Sequence, residues 1–145
     1  MFYSADMVVL ALVPAVCSPL MLPVAASPVA AGWPSPADDY LEGNIDLSEH
    51  LIPRPAATFL VRASGWSMRD AGIHDGDELI VERGRTPRDG QIVIAILDGE
   101  FLVKQLRTVG GPRLVAAHPD FPDIDLTGRE VHIWGIVTCV LHHTP

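Results

Sequence analysis

The sequence predicts an all-β fold: one compact domain of curled, partly open sheets over residues 57–145, preceded by an extended N-terminal arm over residues 1–56. Three observations carry that expectation. From Thr58 onward, short β-branched runs alternate with Gly, Pro and Asp punctuation, the pattern of a small β-domain. Between two of those runs stands Asp98-Gly99, a dipeptide suited to a type I′ hairpin turn, whose two central residues both need positive φ. The composition also changes near Pro53–Pro55: Arg54 is the only basic residue up to that point, and the other nine follow it.

A chain of 145 residues with 48% apolar and 19% charged residues has room for one ordinary core and an arm. Its net charge of −8 argues against direct binding to a phosphate backbone, which relies on clustered Lys and Arg. Any link to nucleic acid is expected to run through a partner. Cys17 and Cys139 are too few for a disulfide framework and lack metal-ligand spacing, so no cofactor or metal is implied and a reduced, cytoplasmic setting is expected.

Taken in order, residues 7–31 are apolar, but nothing basic precedes Arg54, and Pro14, Pro19, Pro23 and Pro28 break any long helix. An extended arm is expected there rather than a secretory leader or a membrane span. Residues 35–52 space Leu41, Ile45 and Leu51 only loosely at helical intervals, and Gly43 weakens a helix, so irregular structure with room for a helical turn is expected. Strands follow in ATFLVRA, DELIVE, QIVIAIL, EFLVKQLR, RLVAA and VHIWGIVTCVL. Residues 91–97 and 100–107 should pair antiparallel across Asp98-Gly99.

Ser67, in the segment Ser64-Gly65-Trp66-Ser67-Met68, raises the question of a nucleophile, and a serine needs a base. The six histidines, His50, His74, His118, His132, His142 and His143, show no HxxxH or HExxH spacing. Arg69 stands where a nucleophile elbow needs its second Gly, and Asp70 stands where an SxxK box needs Lys. Among ten basic residues only Lys104 is a lysine. A guanidinium does not give up its proton in a protein, whereas a desolvated ammonium does. Period two in EFLVKQLR puts Leu102, Lys104 and Leu106 on one face, and an apolar face disfavours the charged amine. The residues alone leave two readings open: a general base for Ser67, or a surface lysine that protects an edge strand.

These stretches together resemble the LexA/UmuD family of self-cleaving Ser-Lys peptidases, from Gly32 to the C-terminus. The family carries SGxSM around its serine, then GIxDGDxLIV, then an FxVKxL strand; here they read Ser64–Met68, Gly72–Val81 and Phe101–Leu106. Trp66 stands where the UmuD branch has an acidic residue, a place that varies within the family, and the first 31 residues show no convincing similarity. The resemblance implies a LexA/UmuD-type fold in which Ser67 is the nucleophile, Lys104 the general base, and the backbone N–H groups of Trp66 and Ser67 the oxyanion hole. It further implies self-cleavage between Ala31 and Gly32, stimulated by a RecA filament. The trimmed homodimer would then serve an UmuC-type translesion polymerase in the SOS response. Two alternatives stand beside it: a non-cleaving module that recruits the polymerase, and a signal-peptidase-like enzyme, disfavoured because the GxPGD-like box after the lysine is missing. A DNA-binding domain of the repressor kind is not recognisable in the arm, which points away from a repressor.

Overall fold

The computed structural model describes residues 6–14, 16–25 and 41–145. Among the described residues ten strands and one short α-helix follow one another: β1 (Val8–Pro14), β2 (Met21–Ala25), β3 (Leu41–Asp46), α1 (Leu47–Leu51), β4 (Thr58–Ser64), β5 (Glu78–Glu82), β6 (Ile92–Leu97), β7 (Glu100–Arg107), β8 (Arg113–Val115), β9 (Ile124–Asp125) and β10 (His132–Leu141). The fold is all-β, as the sequence predicts.

Eight strands form one sheet in the order β1-β4-β5-β10-β6-β7-β8-β9, and β1 also pairs with β7 at Val8 and Leu102. That extra pairing joins six strands, β1-β4-β5-β10-β6-β7, into a closed ring, where the sequence suggested a partly open one. The closing strand comes from the segment expected to be an arm: β1 runs antiparallel to β4, from Val8 opposite Ser64 to Pro14 opposite Phe59. Closure pairs the two sheet edges where they meet, at Val8 and Leu102.

The β6–β7 hairpin has the expected register, with Leu97 opposite Glu100 and positive φ at both Asp98 (51°) and Gly99 (78°). In β6, neighbouring side chains enter different cores: Ile94 packs with Met7, Val61, Ala63, Met68, Ile73, Leu79, Val81 and Val103, while Val93 and Ala95 pack with Leu106, Leu114 and Leu126. A strand buried on both faces reads as a continuous apolar run, which is why IVIAIL shows no alternation.

Residues 41–46, expected to be irregular, pair with β2 in a separate two-stranded sheet. Their local pattern is weak because the pairing supplies the strand. Asp46 caps α1, accepting hydrogen bonds from the Ser48 and Glu49 amides at 3.1 and 3.4 Å.

Strand β10 serves both β5 and β6, and register shifts between Ile133 and Gly135 and between Val137 and Cys139 bend it between them. The bend brings the backbone at Gly135 so close to β5 that a Cβ there would lie 2.5 Å from Val81 Cγ1 and 3.1 Å from the Glu82 carbonyl oxygen. Val81 is fully buried and β-branched, so it has nowhere to move. Gly135→Ala should therefore destabilise the fold by about 1–3 kcal/mol, as overpacking commonly does, read as a lowered urea midpoint with unchanged slope.

Candidate active site

Strand β4 ends at Ser64, and Gly65, at φ 108°, turns the chain through a conformation that side chains disfavour. A short 3-10 turn, Arg69–Ala71, follows directly and is closed by Gly72 at φ 80°. The Arg69 amide bonds the Trp66 carbonyl at 3.1 Å, and the Ile73 amide bonds that of Met68 at 3.3 Å. Met68 is buried in the main core, so the residue beside Ser67 anchors the turn.

The Asp75-Gly76-Asp77 turn braces this segment from below. Asp75 Oδ1 accepts from the Gly65 amide at 2.8 Å, the Gly76 amide donates to the Ala63 carbonyl at 2.9 Å, and the Ala63 amide donates to the Asp77 carbonyl at 3.0 Å. Asp77, itself buried, accepts from the His74 amide at 2.8 Å and lies 2.6 Å from His142 Nδ1. The SGxSM and DGD motifs thus form one hydrogen-bonded unit. Ser67 sits in it fully buried, while Trp66 beside it is 49% exposed.

Lys104 lies in β7, opposite Val93 of β6, and is only 1% exposed. Leu102 and Leu106 on its face are buried too, so the apolar face expected from period two exists. The edge-lysine alternative fails on that burial. Lys104 Nζ donates to Asp6 Oδ1 at 2.6 Å and stands 5.6 Å from the centroid of the Phe121 ring.

Ser67 and Lys104 do not hydrogen-bond each other among the described residues. Both instead hold the same two-residue segment just before β1. The Met7 amide donates to Ser67 Oγ at 2.9 Å and to Asp6 Oδ1 at 3.1 Å, while the Met7 carbonyl accepts from the Val103 amide at 3.1 Å. A continuous chain of polar contacts therefore runs from Lys104 through Asp6 and Met7 to Ser67. The N–H groups of Trp66 and Ser67 carry no hydrogen bond among the described residues. Ala31 and Gly32 lie outside the described residues.

Asp6 and Met7 were not legible as site residues. One signal does point to Asp6: it is the only acidic residue before Asp38, a lone carboxylate at the head of an apolar run, as Lys104 is the lone lysine. None of the histidines bonds Ser67 or Lys104 among the described residues; His142 and His143 bind Asp77 and Glu78, and His74 packs on His142 with ring centroids 5.0 Å apart. No group of three or more His, Cys, Asp or Glu among the described residues could hold a metal ion, and no helix there is long and apolar enough to cross a membrane.

The family model described as Peptidase S24-like matches residues 23–138. Protein ImpA of Salmonella typhimurium is 48% identical to this chain over 124 residues, which cover 84% of each protein. Protein MucA of Escherichia coli is 43% identical over 119 residues, 81% of this chain and 82% of its own length. The LexA repressor of Halorhodospira halophila (strain DSM 244 / SL1) is 44% identical over 116 residues, 78% of this chain but 51% of the repressor.

If Asp77 is the brace described, Asp77→Ala leaves the His74 amide without its acceptor and should lower stability by about 1–3 kcal/mol. Asp75→Ala, at an exposed position, should cost less; equal losses in chemical denaturation would show that the two carboxylates share the task evenly.

Proposed function

The chain belongs to the Peptidase S24-like family, and on that premise we propose that it is a serine endopeptidase that cuts its own arm through a Ser-Lys dyad. The observation that carries this reading is the burial of the chain's only lysine at 1% exposure, with its amine bonded to the same two-residue segment that Ser67 Oγ engages. Water is kept from both groups. An arginine at 104 would carry the same charge but could not act, because it does not release its proton.

In the proposed step, neutral Lys104 takes the Ser67 proton as Oγ attacks the carbonyl carbon of Ala31. The resulting oxyanion is held by the N–H groups of Trp66 and Ser67, where one lost donor typically costs about 2.7–4 kcal/mol of barrier. Lys104 then returns the proton to the leaving amine of Gly32, and an acyl group remains on Ser67. Water, deprotonated by the same lysine, releases it. Tethering places the scissile bond in the mM range of effective concentration, so a slow catalyst suffices.

The trimmed product, in this proposal, is a homodimeric subunit of an error-prone translesion polymerase of the UmuC type, acting in the cytoplasm during the SOS response, with a RecA filament as the stimulus. Similarity to ImpA and MucA over most of their length supports an UmuD-like role. A second reading, a module that recruits the polymerase without cleaving, is favoured by one observation: Lys104 is engaged by Asp6.

Incubating the purified full chain at alkaline pH, and separately with activated RecA at neutral pH, should release a fragment that begins at Gly32, identified by mass spectrometry. Ser67→Ala should abolish it. Lys104→Arg keeps a positive partner for Asp6 but removes the base, and should slow release by about 10²–10⁴-fold while the circular dichroism spectrum is retained. Intact chain under every condition would leave the non-cleaving module as the function.

A further inference from the structure

Residues 6 and 7 occupy the groups that a peptidase of this kind would need free. Asp6 is 5% exposed and Met7 fully buried, its side chain in the main core beside Met68 and Val103. The Asp6 carboxylate and the Lys104 amine form an ion pair at 2.6 Å, with the two side chains 4% and 1% exposed. Among the described residues Asp6 is the only acidic group within 4.0 Å of that amine; the other feature facing it is the Phe121 ring. Ser67 Oγ meanwhile accepts the Met7 N–H. The backbone around the site is also taken: Val8 pairs with both Ser64 and Leu102, and the Val103 amide is spent on the Met7 carbonyl.

We propose that Asp6 and Met7 form an autoinhibitory plug, which covers Ser67 and Lys104 with the residues leading into the chain's own first strand and holds Lys104 as one half of a buried ion pair. The inference rests on the roles given above to Ser67 and Lys104. An amine that carries the proton of an ion pair has no lone pair for the serine's proton, so the plugged state is chemically silent as well as sterically closed. Removing one partner from a buried pair leaves an uncompensated charge, which keeps the plug in place until the whole segment moves. When it leaves, the Lys104 amine loses its carboxylate partner, Ser67 Oγ loses the Met7 amide, and the edges of β4 and β7 open to another extended segment. The scissile arm can enter only then. The family match begins at residue 23, so the plug lies outside the matched part of the chain.

The single lysine makes the test direct. In protein labelled with [¹³Cε]lysine, the one resonance reports the charge state of Lys104, and release of the fragment beginning at Gly32 is followed in the same samples. Asp6→Asn keeps the shape of the plug and removes its charge; Asp6→Ala removes both and stands in if the first variant folds poorly. Both should move the Lys104 resonance from its position in the unaltered chain, since each removes the carboxylate 2.6 Å from the amine. Both should also raise cleavage at neutral pH by about tenfold or more, the gain expected when an open state populated at no more than about 10% becomes dominant. An unmoved lysine resonance and unchanged cleavage in both variants would overturn the plug. A moved resonance with no fragment from any variant would uphold the Asp6 contact and overturn the self-cleavage reading.

Discussion

A buried ion pair between Lys104 and Asp6 organises this molecule. An ammonium in an apolar strand face needs a partner, since an isolated charge in such a place is too costly to persist. The partner comes from 98 residues earlier in the chain. Bringing it there draws the start of β1 across the mouth of the site, inserts Met7 into the core, and closes the six-stranded ring through Val8 and Leu102. Ring closure at Val8, burial of Met7 and occupation of Ser67 Oγ accompany that contact.

The serine side of the cleft is built differently, from short-range contacts. Gly65 supplies a backbone conformation, Met68 an apolar anchor, and the Asp75-Gly76-Asp77 turn a set of hydrogen bonds to Ala63, Gly65 and His74. The two halves differ in what holds them. Ser67 is fixed by a rigid local turn, while Lys104 is paired with a segment distant in sequence. In the proposed peptidase the nucleophile would be held in place while the base is under separate control.

Features set by neighbours in sequence were the legible ones. Asp98-Gly99 specified its hairpin because positive φ at both positions is a local demand. Period two around Lys104 showed an apolar face, and the structure buries that residue as the pattern implied. The β2–β3 pair and the role of β1 were not legible, because each strand there is stabilised by a partner far along the chain and carries little alternation of its own. The proline-rich start of the sequence looked like an arm for that reason. Asp6 could be singled out as a lone carboxylate, but nothing local says which cation it meets.

Membership of the Peptidase S24-like family supplies the reaction class, and the proposed plug of Asp6 and Met7 would supply a reason why the chain need not cut itself continuously. The most direct test of that account is amide hydrogen exchange at Met7, whose N–H is bonded to Ser67 Oγ, measured in the same sample and under the same conditions as the release of the arm. The account predicts that Met7 is protected wherever the chain stays intact and exchanges wherever cleavage proceeds, the two rates rising together. Cleavage that proceeds while the Met7 amide stays protected would contradict it.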